Sequence, residues 1–432
     1  MTVRSRRRKD RPLVGTVSVP GDKSLTHRAL IVAALAHGRS VIAGANMGHD
    51  ALATATALGA LGAGVTVTRD GSRVEVEGSG PEALREPGGV IDAGNSGTTM
   101  RTLLGVAAPV PGLTVLDGDA SLRRRPMLRV VAPLRQMGAQ IDGREHGDRA
   151  PLTIRGAELT GIDHELQIAS AQVKTALLLA GMRAAGATRV TEPRRSRDHT
   201  ERMLAAAGVP LTVDGHTVTI QGGHAPAAAD RVIPGDISSA LFLIVAALIC
   251  PDSDLTIAGV GLNPTRTAAL DVLMEMGADL DITAGEERHG EPVGSVRARY
   301  SALTGVSVDP ARVPALIDEI PVLAIAASQA TGSTEIRGAQ ELRVKESDRI
   351  STMAEGLTAL GAGVEELADG LAIRGPGPLH GGRVASYGDH RVAMAFAVAG
   401  LVASENVQVD GWSCVETSFP EFLDVLGEAQ KR

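Results

Sequence analysis

The same order of local patterns returns six times along this chain, and a chain built from one recurring unit must fold as a repeat. Each copy opens with an almost wholly apolar helix that starts on Gly, Asp, Ser or Asn. The spacing predicts these helices over Asp22–Ala36, Ser96–Ala108, Ala171–Met182, Ile237–Ile249, Ile317–Gln329 and His390–Val402. Helices apolar nearly all round belong inside a domain. A short β-patterned run follows each of them (RSVIAGA, LTVLDG, ATRVTEP, DLTIAG, STEIRG, NVQVDG), and then a second, amphipathic helix. Gly62, Gly138, Gly208, Gly277 and Gly361 stand just past second helices, where a left-handed cap favours glycine. Paired alternating runs such as VTVTRDGSRVEVEG and PLTVDGHTVTIQG read as hairpins. The unit is therefore a mixed α/β (α+β) module of strand, buried helix, strand, amphipathic helix and two strands, recurring roughly every 70–85 residues.

Six modules divide naturally into two sets of three. Pro20-Gly21-Asp22 and Pro234-Gly235-Asp236 echo one another, and short Pro-Gly hinges there give a discontinuous domain of residues 1–20 and 235–432 and a continuous one of 21–234. The sixth copy ends at its second helix. The N-terminal run LVGTVSV is the candidate for the strand it lacks. If the buried helices of each half run side by side, their polar N-termini face an interdomain cleft. Helix starts carry unpaired N–H groups and partial positive charge, so such a cleft attracts anions.

Hydrophobic residues make up 44% of the chain but aromatics only 2%, with 51 glycines, so the core must be aliphatic side chains on closely packed backbones. A net charge of −7 argues against bulk nucleic-acid binding and confines any basic patch to a site. Cys250 and Cys414 fit no metal-ligand spacing. We expect reduced thiols in a cytoplasmic protein, with no disulfide framework, metal or cofactor. The RSRRRKDR run lacks a following apolar segment and reads as a disordered basic tail; no stretch reads as a membrane span.

The helix starts hold the chemistry. The first carries Lys23, Ser24 and Arg28, the second Asn95, Gly97, Thr98 and Arg101, and the third Ser170, Gln172 and Lys174. The fifth carries Asp318 and Glu319, and the sixth Asp389, His390 and Arg391. Second-helix starts add Arg125, Arg197, Lys345, Glu346, Asp348 and Arg349. Cations in a first helical turn oppose the helix dipole, which an anionic ligand offsets. They exceed what one phosphate needs, which implies two anionic ligands. Asp318 and Glu346 are candidates for proton transfer, although a cationic setting favours their ionised forms.

PGDKSLTHRA, NSGTTMRTL, GDASLRRRPM, ASAQVKTALLLAG, LRVKESDRI, GDHRVAMAF and TSFPEF, in this order over essentially the whole chain, resemble the EPSP synthase family of enolpyruvyl transferases. The resemblance implies a two-domain inside-out α/β barrel of six βαβαββ repeats, three per domain. It implies transfer of the enolpyruvyl group of phosphoenolpyruvate to the 5-hydroxyl of shikimate 3-phosphate, a step toward chorismate and the aromatic amino acids, through a tetrahedral intermediate and without a metal. By the same resemblance Lys23, Ser24, Arg28, Ser170, the Ala171 backbone, Gln172, Arg197, Asp318 and Lys345 bind shikimate 3-phosphate. Lys23, Gly97, Arg125, Gln172, Arg349 and Arg391 bind phosphoenolpyruvate, and Lys23, Asp318 and Glu346 are catalytic. The implied partners are these small molecules alone, with neither nucleic acid nor membrane, acting on a monomer. Thr417 stands where many family members carry Lys. The SAQVK and RDHT elements resemble the branch holding glyphosate-tolerant enzymes, yet Gly97 remains where a tolerant form can carry Ala.

Two other readings compete. The sister transferase acting on UDP-N-acetylglucosamine shares repeats and chemistry, but its loop normally carries a reactive Cys that GDASLRRRP lacks, and GDKS replaces its usual Ala-Lys-Asn. A noncatalytic anion- or RNA-binding repeat protein is opposed by the acidic net charge and the scarcity of aromatics for base stacking.

Overall fold

The computed structural model describes residues 2–5, 11–68, 71 and 73–430. The chain divides into two compact units. A split unit comprises Met1–Pro20, Pro234–Glu286 and Pro292–Arg432; a continuous unit comprises Gly21–Ile233 with Glu287–Glu291. The crossings fall in the two Pro-Gly-Asp segments, and the five residues Glu287–Glu291, which sequence patterning leaves with the other half, belong to the continuous unit.

Each module supplies two main helices. These are α1 (Lys23–Ala34) and α2 (His49–Ala60), α3 (Gly97–Ala107) and α4 (Leu128–Gln136), and α5 (Ala171–Gly181) and α6 (His199–Ala206) in the continuous unit. The split unit holds α7 (Ile237–Ile249) and α8 (Ala268–Glu275), α9 (Ile320–Gln329) and α10 (Arg349–Ala359), and α11 (His390–Ala399) and α12 (Phe422–Ala429). The odd-numbered helices are the apolar ones, and each unit packs its three into a separate hydrophobic core. Side-chain caps begin five of them: Asp22, Ser96, Ser170, Asp236 and Asp389 each accept from a backbone N–H of the first turn. The expected glycines do end second helices, with φ of 108°, 104°, 78°, 90° and 84° at Gly62, Gly138, Gly208, Gly277 and Gly361. Small residues let the helices close up. A Cβ placed on Gly105 of α3 would lie 2.1 Å from the Ala176 carbonyl oxygen of α5.

A four-stranded sheet accompanies each of the first five modules: two parallel strands, then a third and a fourth antiparallel to their neighbours. Closure of each unit corrects one expectation. Val14–Val17, within LVGTVSV, pairs in parallel with Asp254–Gly261 and so opens the fourth module rather than completing the sixth. The corresponding opening strand of the first module is Arg231–Val232, parallel to His37–Ala43. The sixth module is completed instead by Thr2–Ser5, antiparallel to Val407–Asp410. The start of the basic run is therefore strand; its residues 6–10 lie outside the described residues. Among the described residues no helix is long and apolar enough to cross a membrane.

Candidate active site

In the continuous unit, hydrogen bonds tie the starts of α1, α3 and α5 into a closed circuit. His27 Nδ1 on α1 meets Thr54 Oγ1 of α2 at 2.7 Å, and Thr54 meets Thr99 Oγ1 of α3 at 2.7 Å. From α3, Thr98 Oγ1 accepts from Gln172 Nε2 of α5 at 3.0 Å, and Arg101 donates to Gln172 Oε1 at 2.8 Å. Thr175 on α5 then accepts from Arg28 of α1 at 3.0 Å, closing the loop. Arg28 is further held by Thr200 of α6 at 2.7 Å and by the Ser24 carbonyl at 2.9 Å. Such fixed donors lose little entropy when an anion binds, which favours tight and oriented recognition.

Lys23, at the first position of α1, pairs with Asp50 at 3.1 Å. Two guanidiniums converge above Gly97, the first residue of α3. A Cβ there would sit 2.9 Å from Arg101 Nη1 and 3.1 Å from Arg125 Nη1, and Arg125 also donates to Asn95 Oδ1 at 2.7 Å. Burial and the positive charges of Lys23 and Arg28 push His27 down to about 3, so the imidazole inside this circuit is neutral. Ser170 caps α5, Ala171 begins it, and half-buried Arg197 lies in the loop before α6. Lys174 belongs elsewhere. It is buried between Glu192 and Glu201, each 2.6 Å away, because two residues along a helix rotate a side chain about 200° from Gln172.

The split unit organises its helix starts around one cation. Arg349, at the first position of α10, donates to Asp389 at 2.7 Å, Asp318 at 3.0 Å and Glu346 at 2.6 Å. Burial alone would lower its pKa, but Asp389, Glu346 and Asp318 outweigh that and hold it above the ordinary guanidinium value. Lys345 lies 3.5 Å from Asp318 Oδ1, and Arg391 donates to the Asp318 carbonyl at 3.0 Å. That carbonyl is available because the helix expected from Ile317 begins three residues later. Pro321, which has no N–H, fits the first turn of α9 and leaves Asp318 and Glu319 before it. Glu319 accepts from Ser238 of α7 and lies 3.7 Å from Arg391, so the three buried helices are linked here too.

Exposure separates the acids by task. Arg349 and Asp389 side chains are 1% and 0% exposed, whereas Asp318 and Glu346 keep 14% and 18%. The latter two are the carboxylates of this cluster that a ligand can reach. Sequence reasoning missed Asp50, Thr175 and Thr200, which hold Lys23 and Arg28. Asp50 stood at a second-helix start and was accessible to the rule applied to the others; the threonines carry no signal outside the fold.

Two units of repeated βαβαββ modules with polar, cation-bearing helix starts define a fold shared with the enolpyruvyl transferases. The enolpyruvyl transferase NikO from Streptomyces tendae matches 99% of this chain and 96% of its own, with a TM-score of 0.79 at 19% identity. The sequence profile of EPSP synthase (3-phosphoshikimate 1-carboxyvinyltransferase) matches residues 7–426, and the chain belongs to this family. The 3-phosphoshikimate 1-carboxyvinyltransferase of Gloeobacter violaceus is 53% identical over 423 residues, covering 98% of each chain. That of a Thermus thermophilus strain is 54% identical over 417 residues, covering 96% of each. A structure of EPSP synthase from Acinetobacter baumannii is 40% identical with a TM-score of 0.89, covering 99% of this chain and 98% of that one.

Proposed function

We propose that this chain transfers the enolpyruvyl group of phosphoenolpyruvate to the 5-hydroxyl of shikimate 3-phosphate. The hydroxyl gives up its proton to a base as its oxygen bonds to C2 of phosphoenolpyruvate, and C3 gains a proton from an acid, giving a tetrahedral ketal phosphate. Loss of that proton with departure of phosphate then forms the enol ether. The observation that carries the reading is the division of charge within a family member: fixed cations over Gly97 and along α1 in one unit, and reachable carboxylates around Arg349 in the other.

In this reading Lys23, Ser24, Arg28, Ser170, the Ala171 N–H, Gln172 and Arg197 hold shikimate 3-phosphate, with Asp318 and Lys345 at its ring substituents. Lys23, Gly97, Arg125, Gln172, Arg349 and Arg391 hold phosphoenolpyruvate, where arginine forks suit carboxylate and phosphate. Asp318 contacts the attacking hydroxyl and Glu346 moves the proton at the methylene carbon. Lys23 stabilises charge on the bridging oxygen. The test is phosphate release from phosphoenolpyruvate offered with shikimate 3-phosphate or with UDP-N-acetylglucosamine. Release only with shikimate 3-phosphate, lost in Lys23→Met, is expected; release only with the UDP-sugar would replace this reading with the sister reaction.

A further inference from the structure

A second basic site lies on the continuous unit, beside the loop that presents Arg125. Ala120, Arg123, Arg124, Arg144, Glu145 and Arg149 line a cavity of about 380 Å³. Two segments build it. The short helix Leu122–Arg124 brings Arg123 and Arg124, and the turn Arg144–Gly147 brings Arg144 and leads into Arg149. That turn holds Glu145 and His146 at φ of 51° and 59°, a left-handed conformation uncommon for such residues.

The charges are unevenly matched. Arg123 forks onto Asp117, donating from Nε at 2.8 Å, and Arg149 pairs with Asp148 and lies 3.6 Å from Glu145. Among the described residues no carboxylate lies within ion-pair distance of Arg124 or Arg144, and both are exposed. Glu145 in the lining lies nearest Arg149, and Arg144 acts on Asp117 without pairing with it, so Arg124 and Arg144 are the guanidiniums of this cavity that no carboxylate neutralises by contact. Their planar forks match the oxygens of a phosphate.

We propose that this cavity binds a phosphate dianion, free or as the monoester of a small molecule, between Arg124 and Arg144. Arg124 is bonded directly to Arg125, so an occupant holds a phosphate-bearing molecule at the edge of the loop that carries Arg125. This gathers anions close to the reaction centre and makes their capture depend on salt.

The test needs no turnover and stands apart from the reaction assigned above. Inorganic phosphate and phenyl phosphate are titrated calorimetrically into the intact protein at low ionic strength. Native protein is expected to show two classes of site. Arg124→Gln/Arg144→Gln is expected to weaken one class about tenfold and leave the other, while Lys23→Met/Arg125→Gln does the reverse. Tighter binding of phenyl phosphate assigns the cavity to monoesters, and tighter inorganic phosphate assigns it to the free anion. Arg124→Gln alone, at an exposed position, checks the result if the double variant unfolds. Isotherms of the Arg124 variants that match native protein would overturn the proposal.

Discussion

The two Pro-Gly-Asp helices are the same device put to different use. Both begin with an aspartate that caps the first turn, Asp22 accepting from Leu25 N at 2.8 Å and Asp236 from Ser238 N at 2.9 Å. Beyond the cap they diverge. PGDKSLTHR in the continuous unit becomes PGDISSALF in the split unit, so Lys23, His27 and Arg28 face Ile237, Leu241 and Phe242 at matching positions. In the split unit a cation reaches the cap from outside the helix: Arg266 lies 3.1 Å from Asp236. The repeat therefore conserves the geometry of the helix start while leaving its charge open to change. One unit gathers cations at its starts, Lys23 on Asp50, Arg28 on threonine hydroxyls, Arg101 and Arg125 on amide oxygens, and the other gathers carboxylates around Arg349. Binding and proton transfer need these opposite settings, since a donor array stabilises anions and a reachable carboxylate accepts protons.

This contrast is open to attack at its strongest point. Arg349→Ala strips the cation from buried Asp389 and from Asp318 and Glu346, and orphaned buried charge costs roughly 3–5 kcal/mol. Urea unfolding is expected to show that loss, and hydrogen exchange is expected to place it in the split unit. A loss under about 1 kcal/mol would mean that the three acids do not depend on Arg349. Lys23→Met is the counterpart. It removes one cation from Asp50, where Arg349→Ala removes one from three acids, so stability falls less than in the Arg349 variant, while turnover falls roughly 10²–10³-fold if Lys23 stabilises transition-state charge. Equal losses of stability would erase the division between a binding and an acid-bearing unit.

What the sequence made legible follows the same line between local and distant causes. The six buried helices and the glycine stops after the second helices depend on patterns within one or two turns, and they stand close to where the spacing put them, except that Pro321 delays the start of α9 to Ile320. The strand partners depend on contacts hundreds of residues apart. Val14–Val17 pairs with Asp254–Gly261 because each unit must close its own ring of modules, and nothing in LVGTVSV distinguishes that partner from the sixth module. The site divides likewise. Charged residues at helix starts were visible as a class, but the bond from Arg349 to Asp389 joins two modules, and Lys174 turns away by helical rotation.

The circuit through His27 sharpens the comparison by pH. Its imidazole titrates near 3 in the fold against 6.5 in the unfolded chain, so the unfolded state binds the extra proton between those values. Stability from the neutral ring is full above pH 6.5 and is lost as pH falls through this window, by about 2 kcal/mol at about pH 5. Leu241 occupies the matching place in the split unit and cannot titrate. We expect His27→Leu to flatten the decline between about pH 6.5 and 5. An unchanged slope would assign the acid sensitivity to other groups.

The smallest effect asks whether the cations over α3 are rigid. A methyl on Gly97 meets Arg101 Nη1 at 2.9 Å and Arg125 Nη1 at 3.1 Å, and both contacts are the far ends of long side chains. The backbone has no need to move, so Gly97→Ala is expected to fold with unfolding free energy within about 0.5 kcal/mol of the native chain. The guanidiniums must retreat by a few tenths of an ångström. Arg101 then strains its bond to Gln172, and Arg125 its bond to Asn95, so the array loses register with a bound carboxylate. The phosphoenolpyruvate requirement should rise about tenfold, or about 1.4 kcal/mol, with a smaller change for shikimate 3-phosphate, to which the proposed reading assigns neither Arg101 nor Arg125. An equal rise for both substrates would mean that the circuit moves as one body and that the two sets of cations are not separable. No rise for either would mean that the arginines are free to swing, and that the helix starts of the continuous unit are as adaptable as a surface.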